Sequence, residues 1–168
     1  MDEEARFVMP DTEPAPATES LRPLAFALSA GLVAAVAGGS AWGLIVKWTD
    51  YEVGIVAWGI GLLSGAAVAL AAGRARGPVL QAIAVASALV GILLGKYLSY
   101  AFVVQEQAQE AGVELGLFSG EIRGFFRDDL GNVFGLFDVL FVGLAVYTAW
   151  RALQPEPGLS PDSGRDGE

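Results

Sequence analysis

Residues 24–46 read LAFALSAGLVAAVAGGSAWGLIV, a run that contains no charged side chain. An α-helix rises about 1.5 Å per residue, so about 20 apolar residues cross the roughly 30 Å hydrocarbon core of a bilayer. This run is long enough to do so. A second uncharged run covers residues 53–73. Together the two runs predict an integral membrane protein.

Two further apolar runs follow, each interrupted by one charge. Residues 79–104 contain Lys96, and residues 133–150 contain Asp138. All four runs are continuous rather than alternating, which favours helices over barrel strands. We therefore expect an all-α fold, an integral membrane four-helix bundle. Its spans are predicted at about 24–46, 53–73, 79–104 and 133–151.

The composition excludes several classes of protein. Of the 168 residues, 54% are hydrophobic and 17% are charged, whereas a soluble domain is nearer to 45–50% apolar and about 25% charged. The chain has no Cys and no His, which excludes thiolate and imidazole chemistry and their metal sites. We expect no enzyme, no catalytic residue, no cofactor and no metal site. The net charge of −9 argues against nucleic acid as a partner.

The segments outside the runs are polar. Residues 1–22 and 154–168 are rich in acids and prolines, and each predicts a disordered tail. Residues 105–132 form the predicted extramembrane segment. There the third helix should continue to near Gly112, and apolar residues at helical spacing predict a short amphipathic helix that Ser119 could cap.

Basic residues near the helix ends predict the orientation. With four spans, one side holds six of them and the other holds three. The first set is Arg6, Arg22, Arg74, Arg76, Arg151 and Arg165, and the second is Lys47, Arg123 and Arg127. By the positive-inside rule both termini are cytoplasmic in a multi-pass protein of the cell (inner) membrane. Trp42, Trp48 and Tyr51 are then expected at the outer boundary and Trp150 at the inner one.

The helix ends are marked by caps. Thr49 and Asp50 offer capping side chains before the second run. Gly73 and Pro78 bound a short connection, which predicts an antiparallel hairpin of the second and third helices.

Four ionisable side chains at or within the spans form a predicted polar cluster: Lys47, Glu52, Lys96 and Asp138. Helix arithmetic places Lys96 roughly 12 Å and Asp138 roughly 8–10 Å below the outer surface. A charge in hydrocarbon is costly, so the two should pair if their helices touch. A pair that fixes the helix register and an outward-facing substrate or ion site are both compatible with this pattern.

Glycines recur four residues apart on three of the helices, as Gly39 and Gly43, Gly61 and Gly65, and Gly91 and Gly95. Small residues at this spacing let helix backbones approach closely. The contacts they serve are either within the bundle or between copies of the chain.

Three motifs are similar to those of a widespread family of small bacterial four-span membrane proteins. They are YEVGIVAWGIG at 51–61, GKY at 95–97 and FDVL…AVYTAWR between 137 and 151. The resemblance implies four spans and singles out Glu52, Lys96 and Asp138. No activity is established for that family. Its members often carry a zinc ribbon or another soluble module before the membrane part, and metal binding does not carry over to a chain without Cys.

The function expected first is a non-enzymatic scaffold or accessory subunit that acts through helix packing. Its partners are then the lipid bilayer and either a second copy or another membrane protein. The alternative is a transporter or channel-like protein with a polar site at Glu52, Lys96 and Asp138. A scaffold predicts fully paired ionisable residues, and a transporter predicts a cavity beside them.

Overall fold

The computed structural model describes residues 17–49 and 54–154, and within these ranges it contains helices and no strand. The predicted all-helical class is confirmed. The helices are α1 (Ala17–Thr49), α2 (Ile55–Ala72), α3 (Pro78–Glu110), α4 (Gly120–Asp128), α5 (Leu130–Val133) and α6 (Leu136–Arg151).

Three of these helices are long and apolar enough to cross a membrane: α1 from Leu21, α2 and α3. This is the pattern of a membrane protein. The fourth predicted run forms α6, which has only 16 residues and is about 24 Å long. It begins at Leu136 rather than at residue 133 because Phe134 and Gly135 adopt extended backbone conformations.

The first helix begins earlier than predicted. Residues 17–22, assigned from the sequence to a disordered tail, form the start of α1, which carries Pro23 within it. The rest of that tail, residues 1–16, lies outside the described residues, as do residues 50–53 and 155–168. The predicted Asp50 cap and the Tyr51 belt position fall in these ranges.

The connection of α2 and α3 has the predicted chemistry. Gly73 follows α2 with a φ of 61°, and its N–H donates to the Leu70 carbonyl. Pro78 opens α3, where its missing N–H costs no helical hydrogen bond. The two helices pack on each other as a hairpin, and we call this end of the bundle the hairpin end.

The hairpin is the centre of the bundle. Helix α1 packs against both α2 and α3, and α6 also packs against both. Ala27, Ala72, Leu80 and Leu153 share one apolar core, which places the start of α1 and the end of α6 at the hairpin end. A second core, built around Trp42, Ile60 and Ala145, lies further along the same helices.

The polar segment after α3 folds back along that helix. The Tyr97 hydroxyl donates to the Leu117 carbonyl over 2.7 Å, and the Gln105 amide donates to the Leu115 carbonyl over 2.8 Å. Helix α4 presses the ring of Phe126 edge-on against the rings of both tyrosines of α3, Tyr97 and Tyr100. We call residues 111–135, between α3 and α6, the returning segment. It brings the start of α6 back to the level of Lys96.

Candidate functional site

Glycines bring α1 and α3 into backbone contact. A Cβ at Gly39 would lie 2.5 Å from the Gly91 carbonyl oxygen, and a Cβ at Gly91 would lie 3.0 Å from the Cα of Ala35. A Cβ at Gly43 would lie 2.6 Å from the Leu98 Cβ. Real Cβ atoms essentially never lie within 3.0 Å of another atom, so Gly39 and Gly43 require glycine at the present helix separation, and Gly91 lies at that limit.

The same relationship joins α2 to α6. A Cβ at Gly61 would lie 2.6 Å from both the Cα and the carbonyl oxygen of Ala145. One turn later, a Cβ at Gly65 would lie 3.0 Å from the Cα of Ala149. A Cβ at the last member of the six, Gly95, would lie 2.6 Å from the indole of Trp42. All six glycines therefore lie at contacts between helices of one chain.

Lys96 is the charged side chain at the centre of the site. Only 1% of it is exposed, and its ammonium lies 2.9 Å from Asp138 Oδ1. The same nitrogen donates to the Val133 carbonyl over 3.0 Å. The centroids of the Trp42 and Phe134 rings lie 5.8 and 5.5 Å away, within the range of a cation–π contact. The ammonium is thus held by charge, hydrogen bond and aromatic faces together.

Asp138 serves two partners at once. While Oδ1 faces Lys96, Oδ2 accepts the backbone N–H of Gly135 over 2.8 Å. This contact caps α6, where the first N–H groups have no helical acceptor. Asp138 is the third residue of α6, about 3 Å along that helix from its first residue, and so lies nearer the helix start than the run of residues 133–151 predicted.

Trp42 corrects a second sequence expectation. It was assigned to an aromatic belt at the membrane boundary, but it is fully buried between α1 and α3. Trp48, by contrast, is 76% exposed. The burial of Trp42 leaves its indole N–H without a hydrogen-bond partner among the described residues. The ring covers Gly95 and faces Lys96, so it works as a wall of the ion-pair site.

Of the other two members of the predicted polar cluster, the structure describes Lys47. Lys47 is exposed, and its ammonium lies 4.7 Å from the ring centroid of Phe102 on α3. Glu52 lies outside the described residues. The structure therefore brings together Lys96 and Asp138 and leaves Lys47 in an aromatic contact of its own.

A cavity of about 420 Å³ adjoins Lys96. Val46 of α1 lines one side of it, and α3 and the returning segment line the rest. The other described lining residues are Lys96, Ser99, Tyr100, Val103, Asp129, Asn132 and Val133. This volume falls within the range of small-molecule sites in proteins.

Sequence reasoning missed Asp129, which is the second carboxylate of this region. Its Oδ2 accepts the Tyr100 hydroxyl over 2.7 Å. Tyr97 and Tyr100 are three residues apart on α3, so they share a face. That spacing was the available signal, since two tyrosines on one face near the end of an apolar run can hold a returning segment.

Comparison with known proteins returned no match to any family model, to any curated protein or to any solved structure.

Proposed function

We propose that this chain is a four-span membrane protein that acts without catalysis, as a scaffold or accessory subunit. Three spans are α1, α2 and α3, and the fourth is α6. The proposal rests on how the helices pack, on where their apolar surface points and on the pairing of Lys96.

The surface of α6 supports a place in the membrane. Its exposed side chains include Leu136, Phe137, Val139 and Leu140, each at least 63% exposed. Between Asp138 and Arg151 the helix has no charge. A soluble monomer rarely leaves so continuous an apolar patch uncovered. At about 24 Å the helix is short for a span, and local bilayer thinning accommodates a short helix at modest cost.

The closed bundle is the observation that favours a scaffold over a transporter. On the hairpin side of Lys96, α1 and α3 meet backbone to backbone at Gly39 and Gly91, and α2 and α6 do so at Gly61. Five of the eight buried residues in the core there are alanines. A transport path would have to separate helices that are in direct contact.

Basic residues support the proposed orientation. Arg74 and Arg76 belong to the hairpin connection, and Arg22 and Arg151 lie near the helix ends that share its core. Lys47, Arg123 and Arg127 lie towards the other end. We accordingly assign the hairpin end to the cytoplasm of a bacterial cell, in keeping with the resemblance of the motifs.

A flux assay tests the scaffold proposal. Purified chain in proteoliposomes should release an entrapped mixture of small cations, anions and neutral solutes no faster than empty liposomes do. The matched variant Lys96→Met should behave identically. Flux above the empty-liposome level that Lys96→Met abolishes would overturn the scaffold in favour of a transporter.

The cavity beside Lys96 favours a second candidate function, the binding of a small molecule at the end of the bundle opposite the hairpin. Its volume of about 420 Å³ and its mixture of valine walls and polar groups are typical of ligand sites. Such a site is compatible with a scaffold, because a bound ligand can act on the returning segment without crossing the bundle.

A further inference from the structure

The cavity of about 420 Å³ has one positive and one negative side chain among its described lining residues. Lys96 and Asp129 are the two charged side chains that line it. The Lys96 ammonium, however, is already neutralised by Asp138 at 2.9 Å and covered by the Trp42 and Phe134 rings. Asp129 is therefore the charge that the cavity presents to a ligand.

The surroundings of Asp129 hold its carboxylate in place while leaving acceptor capacity. Oδ2 accepts the Tyr100 hydroxyl over 2.7 Å, and Oδ1 lies 3.5 Å from the Asn132 amide nitrogen, which is long for a hydrogen bond. A carboxylate has about four lone-pair positions. Both described neighbours are neutral donors, so neither cancels the charge.

The backbone fixes this carboxylate independently of its side-chain contacts. Asp129 ends α4, where its N–H donates to the Phe125 carbonyl over 2.9 Å. Its own carbonyl accepts from Asn132 at 2.8 Å and from Val133 at 3.0 Å, at the start of α5. A charged group held on two helix ends is preorganised for binding.

The remaining walls favour an apolar body on the ligand. Val46 on α1 and Val103 on α3 line the cavity, together with Tyr100. The hydroxyl of Ser99 already donates to the Gly95 carbonyl over 2.9 Å. The cavity thus joins one anionic group to short aliphatic walls.

We propose that this cavity binds a small aliphatic ammonium ion, a protonated primary amine on a short alkyl chain, with Asp129 as its acceptor. The ammonium donates to the carboxylate while the alkyl chain contacts Val46 and Val103. This assignment rests on the second candidate function, since it names the ligand class of that site. The chain's net charge of −9 also favours the approach of cations.

The test uses the full chain in nanodiscs and n-butylammonium chloride as the probe, with sodium butyrate as the probe of opposite charge. Binding is measured by titration calorimetry. We expect saturable binding of butylammonium and none of butyrate. Asp129→Asn should weaken butylammonium binding by roughly ten-fold or more, because it removes a charged acceptor.

The residue immediately before Asp129 supplies a matched control. Asp128 has 76% of its side chain exposed, pairs with Arg127 over 3.7 Å and does not line the cavity. Asp128→Asn should leave binding unchanged. Val103→Phe provides a second variant that fills the cavity without touching a charge, and it should also abolish binding.

Three results would overturn the assignment. Equal losses in Asp128→Asn and Asp129→Asn would reduce the effect to surface charge. Tighter binding of butyrate than of butylammonium would show that the site prefers anions. That result would end the ammonium proposal but leave a binding site. If neither probe bound saturably and Val103→Phe were indistinguishable from the parent, both the ammonium proposal and the proposed binding function would be overturned.

Discussion

Gly61 and Ala145 hold α2 and α6 at a separation that no larger residue permits. A Cβ at Gly61 would lie 2.6 Å from the Ala145 Cα and from its carbonyl oxygen, both backbone atoms that cannot rotate away. The close packing of α6 on the hairpin therefore depends on the absence of a side chain at Gly61.

The first prediction follows from this contact. Gly61→Leu should force α2 and α6 apart and lower the thermal unfolding midpoint in detergent, because overpacking of a close contact typically costs about 1–3 kcal/mol. Gly59 is the matched control, two residues earlier in α2, where a Cβ would meet nothing within 4 Å. Gly59→Leu should leave the midpoint unchanged. Equal effects of the two changes would mean that α2 and α6 are not in contact at Gly61.

The second prediction concerns the polar link between the same helices. The Trp58 indole N–H donates to the Thr148 hydroxyl over 3.1 Å. Trp58→Phe removes this donor and should lower the free energy of unfolding by about 0.5–1.5 kcal/mol. Trp48→Phe should have no effect, since Trp48 is 76% exposed. An unchanged free energy in Trp58→Phe would show that the hydrogen bond does not form.

How much of the fold the sequence could predict depends on which physical property determines each structural element. Hydropathy is a property of a segment, so the long helices and the hairpin at Gly73 and Pro78 followed from the runs directly. It does not say which way one side chain faces. For that reason Trp42 read as a belt residue, although it packs on Gly95 in the core.

The site shows the same division. Pairing of Lys96 with Asp138 was predictable, because each is the one charge of an apolar run and a lone charge there is costly. The cavity was not predictable, since it depends on the returning segment. That segment is held by Tyr97 and Tyr100 through hydrogen bonds to residues 20 and 29 positions away, and a single sequence gives no register for such contacts.

The third prediction tests the fourth span. The chain has no Cys, so single cysteines can be placed at Ala75, Glu114 and Gln154. If α6 crosses the membrane, a membrane-impermeant thiol reagent should label Ala75→Cys and Gln154→Cys from one side and Glu114→Cys from the other. Labelling of Gln154→Cys from the same side as Glu114→Cys would leave three spans and place α6 outside the bilayer.

The fourth prediction concerns the start of α4. Glu121 is exposed, and hydrogen bonds from its own backbone N–H and from the Ser119 hydroxyl lower its pKa below the ordinary 4.5. A lowered pKa stabilises the folded state at neutral pH, and this contribution is lost as the pH falls through the folded-state pKa. Ser119 also caps the helix by accepting from the Ile122 N–H.

The measurement is an NMR titration of the Glu121 side-chain carboxyl carbon. Ser119→Ala should raise the Glu121 pKa towards its ordinary value and increase amide exchange in α4. Ser119→Asp is the matching variant that keeps a capping acceptor, and it should preserve the protection of α4. If the Glu121 pKa were unchanged in Ser119→Ala, the Ser119 hydroxyl would be excluded as a cause of the lowered pKa.

The central claim is that Lys96 and Asp138 are a structural pair that joins α3 to the start of α6. A double-mutant cycle tests it most directly, with Lys96→Met and Asp138→Asn, because asparagine can still accept the Gly135 N–H. Each single change removes the ionic partner of the other charge, of which Lys96 is buried, and should cost up to about 3–5 kcal/mol of unfolding free energy.

The decisive quantity is the free energy of unfolding of the double variant in detergent. We expect it to recover at least about 1 kcal/mol relative to the sum of the two single losses. The exposed pair of Arg127 and Asp128, 3.7 Å apart, gives the reference cycle, and its coupling should be below about 1 kcal/mol. Strictly additive losses for Lys96→Met and Asp138→Asn would contradict the account, because the two side chains would then stabilise the fold independently.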